Sequence, residues 1–166
     1  MKMKHLLGLA AVLLVVLATA CKKDEKESYD AAKQAAKDEE IIKHYIDTAN
    51  ITGMVRDTTG LYYKIVTHGT GTDTMKLTSK MKVSYVGKLL NGTTFDGTGD
   101  STSTLGGAML MNLIRGWQYG LRKTTQGGEL EMLIPSGLAY GRSASEKIPA
   151  NSVLYFRMKL VEVYIN

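Results

Sequence analysis

The single tryptophan of this 166-residue chain, Trp117, stands in the run Leu113-Ile114-Arg115-Gly116-Trp117, with Ala139-Tyr140-Gly141 and Ile148-Pro149 downstream. Tyr85, Phe95-Asp96 and Phe156 lie in segments that read as strands or strand ends. Aromatic and branched apolar side chains with a few polar groups among them describe a small pocket suited to an apolar, proline-like ring. Each of these residues also has a plainer use. Trp117, Phe95 and Phe156 suit a core, Asp96 suits a turn cap before Gly97, and Tyr140 suits a packing tyrosine whose hydroxyl reaches water. His44 and His68 lie outside the pattern without metal-ligand spacing and read as surface histidines. Nothing in the sequence suggests a Ser/His/Asp triad, and no cofactor is expected.

The elements that must hold such a pocket are mostly strands. After Ile51-Thr52-Gly53 the composition turns to β-branched and aromatic residues punctuated by glycine, and Leu61–Val66, Lys82–Leu89, Thr93–Asp96, Glu129–Ile134 and Ser152–Val163 read as strands. Asn91-Gly92 supplies a turn between the second and third of them. One short helix is expected between the strands, from Ile114 to Lys123, with Trp117 and Leu121 four apart on one face. Strands in succession around one short helix give an α+β class with an antiparallel sheet. The Gly, Ser and Thr cluster from Gly97 to Gly107 reads as a loop long enough to serve function.

Upstream, the segment from Lys22 to Asn50 holds good helix formers without Gly or Pro, and Ile41, Ile42, Tyr45 and Ile46 recur at helical spacing. A helix from Asp30 to Thr48 follows. Its first half offers only alanines as an apolar face and reads as solvated. Its second half would dock on the domain or pair with another copy, so a homodimer through residues 30–50 is the alternative to docking. Residues 1–20 have the pattern of a secretory signal peptide, with Lys2 and Lys4 before an apolar or small run from Leu6 to Ala20. That run of 15 residues is short of the roughly 20 needed to span a bilayer. Cys21, the only cysteine, follows Ala18-Thr19-Ala20, as in the lipobox of bacterial lipoproteins, which implies cleavage before Cys21 and its lipidation. Lys22-Lys23-Asp24-Glu25 then reads as a charged spacer or as a surface-export signal. With Lys2 and Lys4 removed the net charge is +3, too small to argue for nucleic acid.

Tyr85-Val86-Gly87, Thr94-Phe95-Asp96, Leu113-Ile114-Arg115-Gly116-Trp117, Leu138-Ala139-Tyr140-Gly141, Ile148-Pro149 and Phe156 resemble, in order and spacing, the FKBP-type peptidyl-prolyl cis-trans isomerases. The likeness runs from about Gly60 to Ile165, nearly all of the part expected to be globular. It implies a twisted five- or six-stranded antiparallel sheet wrapped around one short helix, here preceded by the N-terminal helix. It also implies roles. Trp117 would be the pocket floor, and Tyr85, Phe95 and Phe156 its walls. The Ile114 amide and the Tyr140 hydroxyl would hold substrate carbonyls, Leu113 and Ile148 would form the rim, and Asp96 would lie beside the twisting amide.

The chain also departs from the family. Where many members carry a pocket aromatic about a dozen positions before the tryptophan, it has Thr104-Leu105-Gly106-Gly107, which leaves Leu105 as the bulky apolar candidate. Arg142 to Lys147 replaces the commoner glycine-rich turn. The expected organisation is a signal peptide (1–20), a lipidated cysteine and charged tether (21–29), a helical linker (30–52) and an isomerase domain (60–166). The expected function is isomerisation of prolyl bonds in unfolded or proline-containing polypeptides by a protein lipid-anchored at the outer membrane, on its periplasmic face or the cell surface. A catalytically weak peptide-binding or chaperone module, and a purely structural lipoprotein, are the rival readings.

Overall fold

The computed structural model describes residues 28–72, 74–98 and 105–164. The expected signal peptide, Cys21 and most of the charged tether lie outside those residues, as does Thr104. Among the described residues seven strands form one antiparallel sheet: β1 (Val55–Arg56), β2 (Tyr62–Thr67), β3 (Lys80–Leu89), β4 (Thr94–Gly97), β5 (Leu105–Met109), β6 (Glu129–Ile134) and β7 (Leu154–Tyr164). Their order is β1-β2-β6-β7-β3-β4, with β5 also paired to β3. β7 is the spine. It pairs with β3 from Leu154 to Tyr164 and with β6 from Leu154 to Lys159. Leu154, Phe156, Met158 and Leu160 are buried at every second position while Arg157 and Lys159 are exposed, the period expected of a strand with one face on the core.

The short helix α2 (Arg115–Gly120) lies on that core face and continues as a 3₁₀ turn over Leu121–Lys123, so the expected Ile114–Lys123 segment is helical with a tightened last turn. Its contact with the sheet is set by two glycines four residues apart. A Cβ on Gly116 would come within 2.4 Å of the Ile134 side chain, and one on Gly120 within 2.0 Å of Met132 Sδ. Gly116 and Gly120 therefore let the helix backbone rest directly on β6, and this lowers Trp117 onto the sheet.

Helix α1 (Ala31–Thr48) starts at Asp30, whose carboxylate accepts from the amides of Ala32 and Lys33, and ends before Asn50 in the left-handed conformation. It packs on the opposite face of the sheet. Ile42 is fully buried there with Tyr62, Leu133 and Val153. Neighbouring β6 residues thus face opposite layers, Met132 and Ile134 toward α2 and Leu133 toward α1. The expected patch on the second half of α1 docks, although Ile41 stays exposed. The first half, Ala31 to Lys37, is exposed apart from the half-buried Gln34, and burial begins at Asp38.

One further expectation changes. The Gly97–Gly107 loop gives way at Leu105 to β5, whose register against β3 shifts between Met81 and Lys82. The Asn91-Gly92 turn is present as a hairpin loop of three residues. Leu90 and Asn91 occupy its centre, Gly92 donates to the Leu89 carbonyl with φ of 90°, and Leu89 N–H bonds the Thr93 carbonyl. This is the longer hairpin in which glycine takes the left-handed position.

Candidate active site

Between α2 and the core face of the sheet lies a cavity of about 290 Å³ lined by Tyr85, Asp96, Leu105, Asn112, Leu113, Ile114, Trp117, Tyr140 and Phe156. Its floor is Trp117, which is 5% exposed. The Tyr85 ring meets the indole edge-on at a centroid distance of 4.8 Å, and Phe156 meets it at 5.3 Å with the planes at 90°. Phe95 packs behind Phe156, edge to face at 5.6 Å. Perpendicular packing brings ring edges onto ring faces, the favoured geometry for such contacts.

Strand irregularity aims the polar group. Gly87 pairs with Asp96 and Lys88 with Thr94, so Phe95 is the extra residue of a bulge in β4. The bulge turns Phe95 into the core while Asp96 reaches the cavity edge. Both Asp96 oxygens are held there: Oδ2 accepts from the Tyr85 hydroxyl at 2.8 Å and Oδ1 from the Gly97 amide at 2.8 Å. Burial pushes the Tyr85 phenol well above its ordinary range, and the hydrogen bond to Asp96 adds to the effect. The Tyr140 phenol is also raised, by burial first and then by the nearby Asp96 charge.

Two donors on residues that line the cavity have no acceptor among the described residues. Ile114 caps α2 through its carbonyl, which accepts from Trp117 and Gln118, while its own amide donates to no acceptor among the described residues. The indole N–H of Trp117 is likewise unpaired. Tyr140, 44% exposed, stands in a turn after the 3₁₀ segment Ser136–Leu138, whose first carbonyl accepts from the amides of Ala139 and Gly141.

Of the ten pocket residues expected from sequence, the structure gathers eight around the cavity: Tyr85, Asp96, Leu105, Leu113, Ile114, Trp117, Tyr140 and Phe156. Phe95 supports the wall without lining it. Ile148, expected at the rim, is 7% exposed and packed in the core, where its amide bonds Ser145 Oγ. Two residues escaped sequence reasoning. Asn112 lines the cavity, and the Gln118 side-chain amide donates to the carbonyls of Met111 and Leu113, tying the rim segment to α2. A polar residue directly after Trp117, on a turn that faces the rim, was the only signal for Gln118. Among the described residues no group of three or more His, Cys, Asp or Glu side chains gathers to hold a metal.

FkpA of Buchnera aphidicola, an FKBP-type peptidyl-prolyl cis-trans isomerase, is 33% identical over 153 residues, which are 89% of this chain and 60% of that protein. FkpA of Escherichia coli is 34% identical over 83% of this chain and 49% of its own length. The chain thus spans about half to three fifths of these curated relatives. The crystal structure of Escherichia coli FkpA superposes with a TM-score of 0.68 at 33% identity, covering 80% of this chain and 62% of that one. A peptidyl-prolyl cis-trans isomerase from Pseudomonas syringae gives 0.64 at 25% identity, covering 83% of this chain and 99% of its own. The FKBP-type family model matches residues 71–161, which include every residue lining the cavity, and the chain belongs to the FKBP-type peptidyl-prolyl cis-trans isomerase family.

Proposed function

We propose that this protein is a peptidyl-prolyl cis-trans isomerase acting on proline-containing polypeptides. The observation that carries the reading is the cavity itself: a buried floor of Trp117 with Tyr85 and Phe156 as walls, and Ile114 in its lining with an amide that has no acceptor among the described residues. An X-Pro bond rotates slowly because amide resonance sets a barrier of roughly 18–20 kcal/mol. Rotation breaks that resonance and leaves the carbonyl less polar, so an apolar enclosure favours the twisted amide over the solvated planar one. With the prolyl ring on Trp117, the Ile114 amide and the Tyr140 hydroxyl hold the flanking carbonyls, and the peptide is kept bent near the twisted geometry. Asp96, fixed by Tyr85 and Gly97, places its charge at the cavity edge beside the rotating bond. No bond to the protein forms or breaks.

A protease-coupled assay on a prolyl tetrapeptide tests this directly. The expected result is a rate well above the uncatalysed one that falls to background in Trp117→Ala. A wild-type rate equal to background would overturn the reading.

The same proposal extends to place. Lys2 and Lys4, the apolar run and Cys21 after Ala18-Thr19-Ala20 support export and lipidation, with the isomerase assisting the folding of exported proteins from the outer membrane. Each buried acyl methylene contributes about 0.8 kcal/mol, so more than one chain on Cys21 anchors the protein firmly. Palmitate incorporation that is lost in Cys21→Ser supports the anchor, and incorporation that survives the substitution removes it.

A further inference from the structure

Asp38 is 1% exposed and lies on α1, outside the family-matched segment, yet its carboxylate reaches across to the strand end that leads into the pocket. Oδ2 accepts from both the amide and the hydroxyl of Ser136, each at 2.7 Å, and Oδ1 accepts from Gln34 Nε2 at 2.7 Å. In all three of these hydrogen bonds the Asp38 carboxyl is the acceptor. As a way of fastening a helix to a sheet this is a poor choice, because an apolar side chain of similar size serves as well without burying a polar group. What the carboxylate does, and an apolar residue would not, is fix the direction of Ser136.

Ser136 is where the turn bearing Tyr140 is hung. Its carbonyl accepts from Ala139 N–H at 3.0 Å and from Gly141 N–H at 2.9 Å, the two residues that flank Tyr140. Tyr140 is itself half-exposed, and the segment Arg142–Lys147 beyond it is exposed throughout, so little packing orients the phenol from the outer side. From these contacts we infer that Asp38 is a positioning residue for the isomerase site: it orients Ser136, Ser136 holds the turn, and the turn sets the Tyr140 hydroxyl over the cavity. The inference rests on the isomerase reading, and it makes α1 part of the working unit.

The full chain carries the test. Asp38→Ala is expected to lower kcat/KM about tenfold, while Asp38→Asn, whose amide oxygen still accepts from Ser136, keeps most of the wild-type value. Trp117 emission, from the only tryptophan, should be unchanged in both if the pocket floor is intact. A double-mutant cycle separates positioning from general loosening. If Asp38 acts through Tyr140, Tyr140→Phe costs several-fold in the wild type and little further in Asp38→Ala. Hydrogen exchange reads the link without turnover: in Asp38→Ala the amides of Ala139 and Gly141 should exchange at least tenfold faster, with those of β7 unchanged. Effects of Asp38→Ala and Tyr140→Phe that simply multiply, or exchange at Ala139 and Gly141 that does not change, overturn the inference. A wild-type protein without any isomerase rate would remove the isomerase reading, while the exchange measurement would still decide whether Asp38 holds the turn.

Discussion

Replacing Gly87 with alanine adds one carbon to the middle of β3 and is expected to destabilise the protein by about 2 kcal/mol while deforming the pocket. In an open strand the same change would stabilise by about 0.5–1 kcal/mol, because glycine loses more backbone freedom on folding than alanine does. The structure reverses the sign. A Cβ at Gly87 would stand 2.7 Å from Phe156 Cε1 and 2.8 and 2.9 Å from Phe95 ring atoms, whereas ordinary contact begins at 3.4 Å. The rings would have to retreat by about 0.7 Å, and neither is free to do so. Phe156 is 2% exposed and locked edge-to-face against both Phe95 and Trp117. The φ of Gly87 is not in the left-handed region, so backbone strain does not confuse the comparison. Thermal and urea unfolding of Gly87→Ala should show a fall in Tm of roughly 5–10 °C. The isomerase assay should show a loss of about tenfold or more in kcat/KM, since displacing a wall of the cavity misplaces the ring that rests on it. An alanine variant as stable as the wild type, or more so, would refute the packing argument.

Other perturbations read different contacts. Tyr85→Phe removes the hydroxyl that holds Asp96 Oδ2 and leaves the carboxylate anchored only by the Gly97 amide, so kcat/KM should fall about fivefold, equivalent to about 1 kcal/mol, with little change in Tm. In the wild type, a spectrophotometric titration should find Tyr85 still protonated after ordinary phenols have ionised near pH 10. Glu39 gives the acid dependence. Burial alone would raise its carboxyl, but hydrogen bonds from Arg56, Tyr62 and Lys43 outweigh that and hold it at about 2 against an ordinary 4.5. A folded value below the unfolded one means that the contact stabilises fully above about pH 4.5 and is lost as the pH falls toward 2. Tm should therefore drop over that window, and the drop should shrink in Arg56→Met. An identical acid profile in the variant would show that the network contributes nothing.

Much of this fold is written in periodicities. β6 runs from Glu129 to Ile134 with the bounds read from the sequence, and α1 follows its N-cap and its isoleucine spacing. The pocket is legible for a different reason: residues that singly suit a core stand together in motifs whose order and spacing resemble one family. What escaped depends on partners distant in sequence. β5 contains Gly106-Gly107 and has no alternation of its own, so its strand character comes from pairing with β3. The bulge at Phe95 is set by register against Gly87, and no local residue type announces it. Ile148 fell in the core because the turn before it folds inward through the Ser145 and Ile148 bonds, an outcome that the exposed residues Arg142–Lys147 do not foretell. Gly116 and Gly120 were visible all along. Two glycines at helical spacing around Trp117 signal close approach of a helix to a sheet, at a cost of about 1 kcal/mol each in helix propensity.

The boundary of the working unit shows the same limit most clearly. By composition the chain divides near Gly53, where alanine and charge give way to β-branched residues, and the preceding helix reads as a spacer. Hydrogen bonds run across that boundary. Asp38 and Glu39 are consecutive residues on one turn of α1, and they point to different parts of the sheet. Asp38 holds Ser136 beyond the end of β6, while Glu39 takes the Tyr62 hydroxyl on β2 at 2.8 Å and Arg56 Nε on β1 at 2.7 Å. Two neighbouring acids thus clamp α1 to the first two strands and to the turn that carries Tyr140. Hydropathy cannot register this, because a carboxylate buried against backbone and hydroxyl donors has the same letter as one in water. The distinction lies wholly in partners 98 residues away for Asp38 and 23 for Glu39. A helix attached only through Ile42 could slide along the sheet. One attached as well through oriented hydrogen bonds from Asp38 and Glu39 has a fixed register, and that register is passed on to the pocket.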